Sequence, residues 1–260
     1  MSGAIFRRSK PEEEELARKR AELATLRGIL ADRELELVDL RSQLAIFEGR
    51  YLRQVGTLYA ELDDWKARIS ELQAELEPSD SATDRAREAR EQAGRTNEHV
   101  HGIESKAADF TPSPDLKRLF REVAKRVHPD FSKDSADLER RTRLMAEANR
   151  AYQANNTEVL QQILDEWQDG GDSMEGEGIG AELIRIIRQI SQSRDRLSVI
   201  EKELVDLKDS EIAKLQRQAE DSNHKGRDLL AELAADIKQR IALAKGEYEV
   251  LSRAGKPRER

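Results

Sequence analysis

Leu116-Lys117-Arg118-Leu119-Phe120-Arg121-Glu122-Val123-Ala124-Lys125-Arg126-Val127-His128-Pro129-Asp130 is a run in which three signals coincide. Apolar residues at 116, 119, 120, 123 and 127 follow the spacing of one buried stripe on an α-helix. The remaining face carries Lys117, Arg118, Arg121, Lys125 and Arg126 against a single acid, Glu122. In a chain of formal net charge -7, that concentration of positive charge reads as a docking surface for an acidic partner. Upstream, Ser113 is placed to cap the helix, with Pro114 at its first position.

Downstream, Phe131 to Asp137 reads as a polar loop. A second helix is predicted from about Ala136 to Ala154, with Met145, Ala148, Ala151 and Tyr152 inward. Asn155-Asn156 breaks it, and Thr157 can cap a short third helix bearing Leu160, Ile163, Leu164 and Trp167 on one side. Two antiparallel helices and a brace make a small helical module.

Both flanks return to long heptad patterns. From 11 to 77 a seam runs through Leu16, Leu23, Leu26, Leu30, Leu37, Leu40, Leu44, Phe47 and Tyr51, with Arg33 intruding at one position. Between Tyr51 and Val55 the step is four where three is due, and the phase resumes through Leu58, Leu62, Trp65, Ile69, Leu72 and Leu76. Ser9 and Glu12 have capping-box spacing. So narrow a stripe needs a partner helix, from the other arm as an antiparallel bundle or from a second copy. Residues 78–110 read as a polar, partly helical linker, with a weak helical pattern over Asn97 to Asp109. Residues 169–180, rich in glycine and acids, read as a flexible linker. From 181 to 253, Leu183, Ile186, Ile190, Leu197, Ile200, Leu204 and Leu207 form a second seam, resumed by Leu230, Leu233, Ile237, Ile241, Ala244 and Leu251. Ser222 to Gly226 fits a helix-hairpin turn, with an unbroken helix as the rival. Residues 1–10 read as disordered and 254–260 as a basic, frayed tail.

Composition narrows the function classes. Only 4% of the 260 residues are aromatic and 37% are charged, which favours elongated helices over one large core. The chain has no cysteine, so disulfides and thiol chemistry are excluded, as suits a reducing cytoplasm. Residues 1–10 have no apolar core of a signal sequence, and no run approaches the length of a membrane span.

The 116–130 run, followed by Arg140-Arg141-Thr142-Arg143-Leu144-Met145-Ala146-Glu147-Ala148-Asn149-Arg150-Ala151-Tyr152, resembles a J-domain, the DnaJ-like module. It looks most like bacterial variants that continue with Asn155-Asn156-Thr157-Glu158-Val159-Leu160. The resemblance covers about 111–167, within a J-like module set at 111–168. It implies that His128, Pro129 and Asp130 form a trigger between two antiparallel helices, presented to a DnaK-type ATPase chaperone. It implies further that Lys117, Arg118, Arg121, Lys125 and Arg126 dock that chaperone, and that Phe120, Val123, Met145, Ala151 and Tyr152 are core. Glu122 and Phe131 depart from the family's residues at those places. No tyrosine-rich first helix precedes the basic one, so either 97–109 or a long helix takes its place. No zinc-type cysteine repeat or β-rich client domain follows.

Other chemistries fit poorly. His128 lacks a nucleophile or paired acids for catalysis, and His99 and His101 point to opposite sides of a helix, so no metal or cofactor is expected. Nucleic acid is disfavoured by the acidic chain and by the lack of aromatics among the basic residues. The expected protein is all-α and not an enzyme, with elongated coiled-coil arms flanking the J-like module. Its expected role is a cytoplasmic co-chaperone, the arms serving homo-oligomerisation or an unknown client. A structural coiled-coil scaffold with a degenerate J-like module is the alternative.

Overall fold

The computed structural model describes residues 11–102, 111–168 and 178–254, all helical apart from short connections and without a strand. The expectations for 1–10 (Ser9 included), for 103–110, for most of the 169–180 linker and for 255–260 fall outside these residues, as does the side chain of His101. None of the helices described is long and apolar enough to cross a membrane. Two compact units emerge, residues 1–43 with 110–209 and residues 44–109 with 210–260. Each predicted arm is therefore divided between them.

In the first unit the basic helix, α4, runs Pro114–Val127, with Ser113 accepting a hydrogen bond from the Leu116 amide. A 3-10 turn, Pro129–Phe131, leads to α5, Ser135–Gln153, and then α6, Thr157–Gln168. The cap of α6 is the Asn156 side chain, which accepts from the Val159 amide, and Thr157 is already helical. Asn155 reverses the chain at φ 53°. Leu116, Phe120, Val123, Val127, Met145, Ala148, Tyr152 and Leu160 form one buried core. Phe120 and Tyr152 meet edge to face with centroids 5.1 Å apart.

That core is completed by Ala31, Leu35 and Val38 of α1, Pro11–Tyr51. Of the two candidates for a helix packed on this module, the long one, α1, is seen against its core. The heptad reading missed this second apolar side. The expected stripe, Leu16, Leu23, Leu30 and Leu37, packs instead on Ile186, Ile190, Ile200 and Leu204 of α7, Ile179–Lys208. Arg20 pairs with Glu182, Glu34 with Arg196 and Arg41 with Glu203, each pair 162 residues apart. A constant offset means that α1 and α7 run parallel, not antiparallel as one sequence option had it. The partner helix that α1's stripe requires lies within the same chain.

The second unit is built on α2, Thr57–Leu76, which follows a π-helical turn at Leu52–Gly56, where the heptad slips. The stretch expected as a linker is mostly helix, α3, Asp80–Gly102. Its buried face is made of Ala82, Ala86, Ala93 and Val100, too small to register as an apolar stripe. Close approach is needed at Gly56, where a Cβ would lie 3.3 Å from Val100 Cγ2 and 3.0 Å from Leu52 Cδ2. A further break, where the heptad pattern fades from Glu211, separates α7 from α8, Glu211–His224, with Ser210 as cap. The chain then turns at Lys225 and Gly226 (φ 74°) into α9, Leu229–Ala254, so the continuous-helix rival does not hold. Leu230, Ile237, Ile241 and Ala244 of α9 pack with Leu62 and Ile69 of α2.

Candidate functional site

The site is the tripeptide at the end of α4. Pro129 cannot continue a helix, and the chain leaves the axis at His128, whose Nδ1 accepts a hydrogen bond from the Asp130 amide (3.2 Å). With Nδ1 an acceptor, the ring proton sits on Nε2, which donates to Glu34 Oε1 of α1 at 3.2 Å. The same oxygen accepts from Arg196 Nε of α7 at 2.9 Å. Burial would push the Glu34 carboxyl up, but the hydrogen bonds from His128 and Arg196 and the Arg196 charge outweigh it and hold the group below its ordinary value.

This geometry corrects the expectation of a freely presented trigger. His128 is only 3% exposed. Phe131, read as the start of a polar loop, is buried as well. The seam of α7 carries two buried polar residues, Gln189 and Ser193, among its apolar positions. Gln189 Nε2 donates to the Phe131 carbonyl at 3.1 Å, and the Arg27 guanidinium of α1 lies 4.4 Å over the ring. Beside them a cleft of about 280 Å³ remains between α1 and α7, walled by Phe131, Lys133 and Arg185.

Asp130 is the poorly served member. Its Oδ2 is buried without a hydrogen bond and lies 3.6 Å from His128 Nδ1. Burial pushes this carboxyl above its ordinary value, against the nearby charge of Arg196.

The five basic residues divide into two rows. Lys117 and Arg121 face α1, where Lys117 Nζ donates to Asp39 Oδ2 (3.0 Å) and Arg121 Nε to Asp32 Oδ1 (2.7 Å). Asp39 also accepts from the Tyr152 hydroxyl at 3.1 Å. Burial and that carboxylate push the phenol up. Arg118, Lys125 and Arg126 stand on the solvent side, with Asp115 and Glu122 of their own helix as ionic neighbours. The buried Arg141 of α5 ties the module together, with Nη1 on the Arg126 carbonyl (2.8 Å) and Nε on Asp137 (2.7 Å).

Glu34, Asp32, Asp39, Arg141, Gln189 and Arg196 were missed as site residues. Only an acidic patch at 32–39 within an apolar stretch could have hinted at the first three. Among the described residues no cluster of three or more histidine or carboxylate side chains is placed to hold a metal. Compared with family models, with curated proteins and with solved structures, the chain matches none.

Proposed function

We propose that this chain is a J-domain-type co-chaperone that recruits a DnaK-type ATPase and stimulates its ATP hydrolysis, the remaining helices serving a client or assembly. The observation that carries the reading is the juxtaposition of the tripeptide with the basic helix. His128-Pro129-Asp130 joins α4 to α5, which pack on one another, and Arg118, Lys125 and Arg126 remain on the solvent side. A positive row of this kind raises the encounter rate with an acidic surface and adds modestly to affinity. The chain itself would not hydrolyse ATP.

A second reading is favoured by the burial of His128. In a structural scaffold the tripeptide would serve only to join α4 to α1 and α7 through Glu34 and Arg196. Single-turnover ATPase of a DnaK-type chaperone, titrated with the full chain, separates the two. The co-chaperone reading expects acceleration that His128→Gln abolishes while far-UV circular dichroism stays helical. Equal acceleration by His128→Gln, or none at any concentration, counts for the scaffold.

A further inference from the structure

We infer that α1 is an internal competitor for the partner surface: its acidic edge, Asp32, Glu34 and Asp39, occupies the tripeptide and one row of α4, and must be released before a partner can engage. The inference rests on the co-chaperone reading for its purpose, but its geometry stands alone.

Three observations carry it. The contact is chemically the one an acidic partner would make: carboxylates seven residues apart on one helix receive Arg121 and Lys117, and a third between them receives His128. Asp32 and Asp39, two turns apart on α1, thus take Arg121 and Lys117, one turn apart on α4, while Glu34 on the other flank of α1 takes His128.

The second observation is the state of Asp130. A permanent joint gains nothing from a buried carboxylate oxygen without a donor, whose desolvation opposes closure. A latch that opens restores that oxygen to water. Closure is therefore opposed from within by the very residue the partner is expected to read.

The third is the incomplete fit around Phe131. The ring enters between α1 and α7 where Gln189 and Ser193 interrupt the apolar seam, and the neighbouring cleft leaves part of its surroundings unfilled. Separating 128–131 from this place exposes one aromatic ring and one histidine, while the core that α4, α5 and α6 share with Ala31, Leu35 and Val38 of α1 stays packed.

The test reads the accessibility of His128 directly, by mass-spectrometric rates of its modification with diethyl pyrocarbonate. Three forms of the full chain are compared: the wild type, the Asp32→Asn/Asp39→Asn variant, and a chain locked shut. The absence of native cysteine makes the last form selective, through Asp32→Cys and Arg121→Cys joined by a short bis-maleimide. Neutralising the edge should speed His128 modification about tenfold and locking should slow it by at least as much. Equal rates in all three forms would overturn the internal competitor. If the double variant loses its helical circular dichroism, the locked form against its unlinked double-cysteine parent decides alone.

DnaK-type ATPase turnover is then measured on the same samples. Turnover that rises and falls with His128 accessibility supports both readings. Stimulation undiminished by locking overturns the competitor and spares the co-chaperone. Accessibility that changes while turnover stays flat in every form removes the co-chaperone and leaves the latch.

Discussion

The two units of this chain use similar helices and hold them together in opposite ways. In the first, α1 meets α4 and α7 through buried polar groups, Glu34, His128, Gln189 and Ser193, set among large apolar side chains. In the second, α2 meets α3 through alanines, and its ion pairs, Arg90 with Asp64 and Glu71 and Lys245 with Glu61, stay at the surface. Buried polar groups are costly when one partner is lost, whereas small apolar contacts fail gradually. The first unit is thus the one more sensitive to the loss of a single partner.

The contrast can be broken by substitution, read in single-tryptophan backgrounds (Trp65→Phe or Trp167→Phe) so that urea unfolding of each unit is followed separately. Glu34→Ala has the largest expected effect. It strands the buried His128 donor and leaves Arg196 with Glu203 as its remaining carboxylate partner, and should cost the first unit roughly 3–5 kcal/mol, with little change at Trp65. Gly56→Val comes next. Its added methyls meet Leu52 and Val100, and the second unit should lose about 1–3 kcal/mol through overpacking.

Asp130→Asn sharpens the comparison in the other direction. The raised folded-state value of this carboxyl means that its ionised form opposes folding at neutral pH, and that the penalty fades as pH falls through that value. The amide should therefore stabilise the first unit by about 1 kcal/mol at pH 7, a gain that vanishes in acid. Glu34 has the opposite sign. Its depressed value makes its contribution full above the ordinary glutamate range and lost as pH falls through the folded-state value. Equal gains from Asp130→Asn at pH 7 and pH 3 would contradict this assignment. The smallest effect is expected from Arg90→Ala, at most about 1 kcal/mol, because its two carboxylate partners remain hydrated.

What the sequence made legible was whatever rests on local pattern. The stripe of α4, the Ser113 cap, the turn at Gly226 and the step at 51–55 all follow from spacing within a few residues. So does the core of Phe120, Val123, Met145, Ala151 and Tyr152. What it hid depends on partners far along the chain. Ala82, Ala86 and Ala93 form a buried face only because α2 lies against them. Leu35 and Val38 look like surplus beside the heptad until α4 and α6 claim them. Burial of His128 is set by Glu34 and Arg196, 94 and 68 residues away, and no periodicity announces either.

The π-helical turn at Leu52–Gly56 acts as a vernier within the second unit. Its wide hydrogen-bonded ring accommodates one residue more than an α-turn, so the helix continues while its azimuth is reset. Excising Arg53 would let the segment wind as ordinary α-helix and swing everything beyond it by about 100°. Leu62 and Ile69 would then point past α9, and a rod still continuous by circular dichroism would have lost its neighbour.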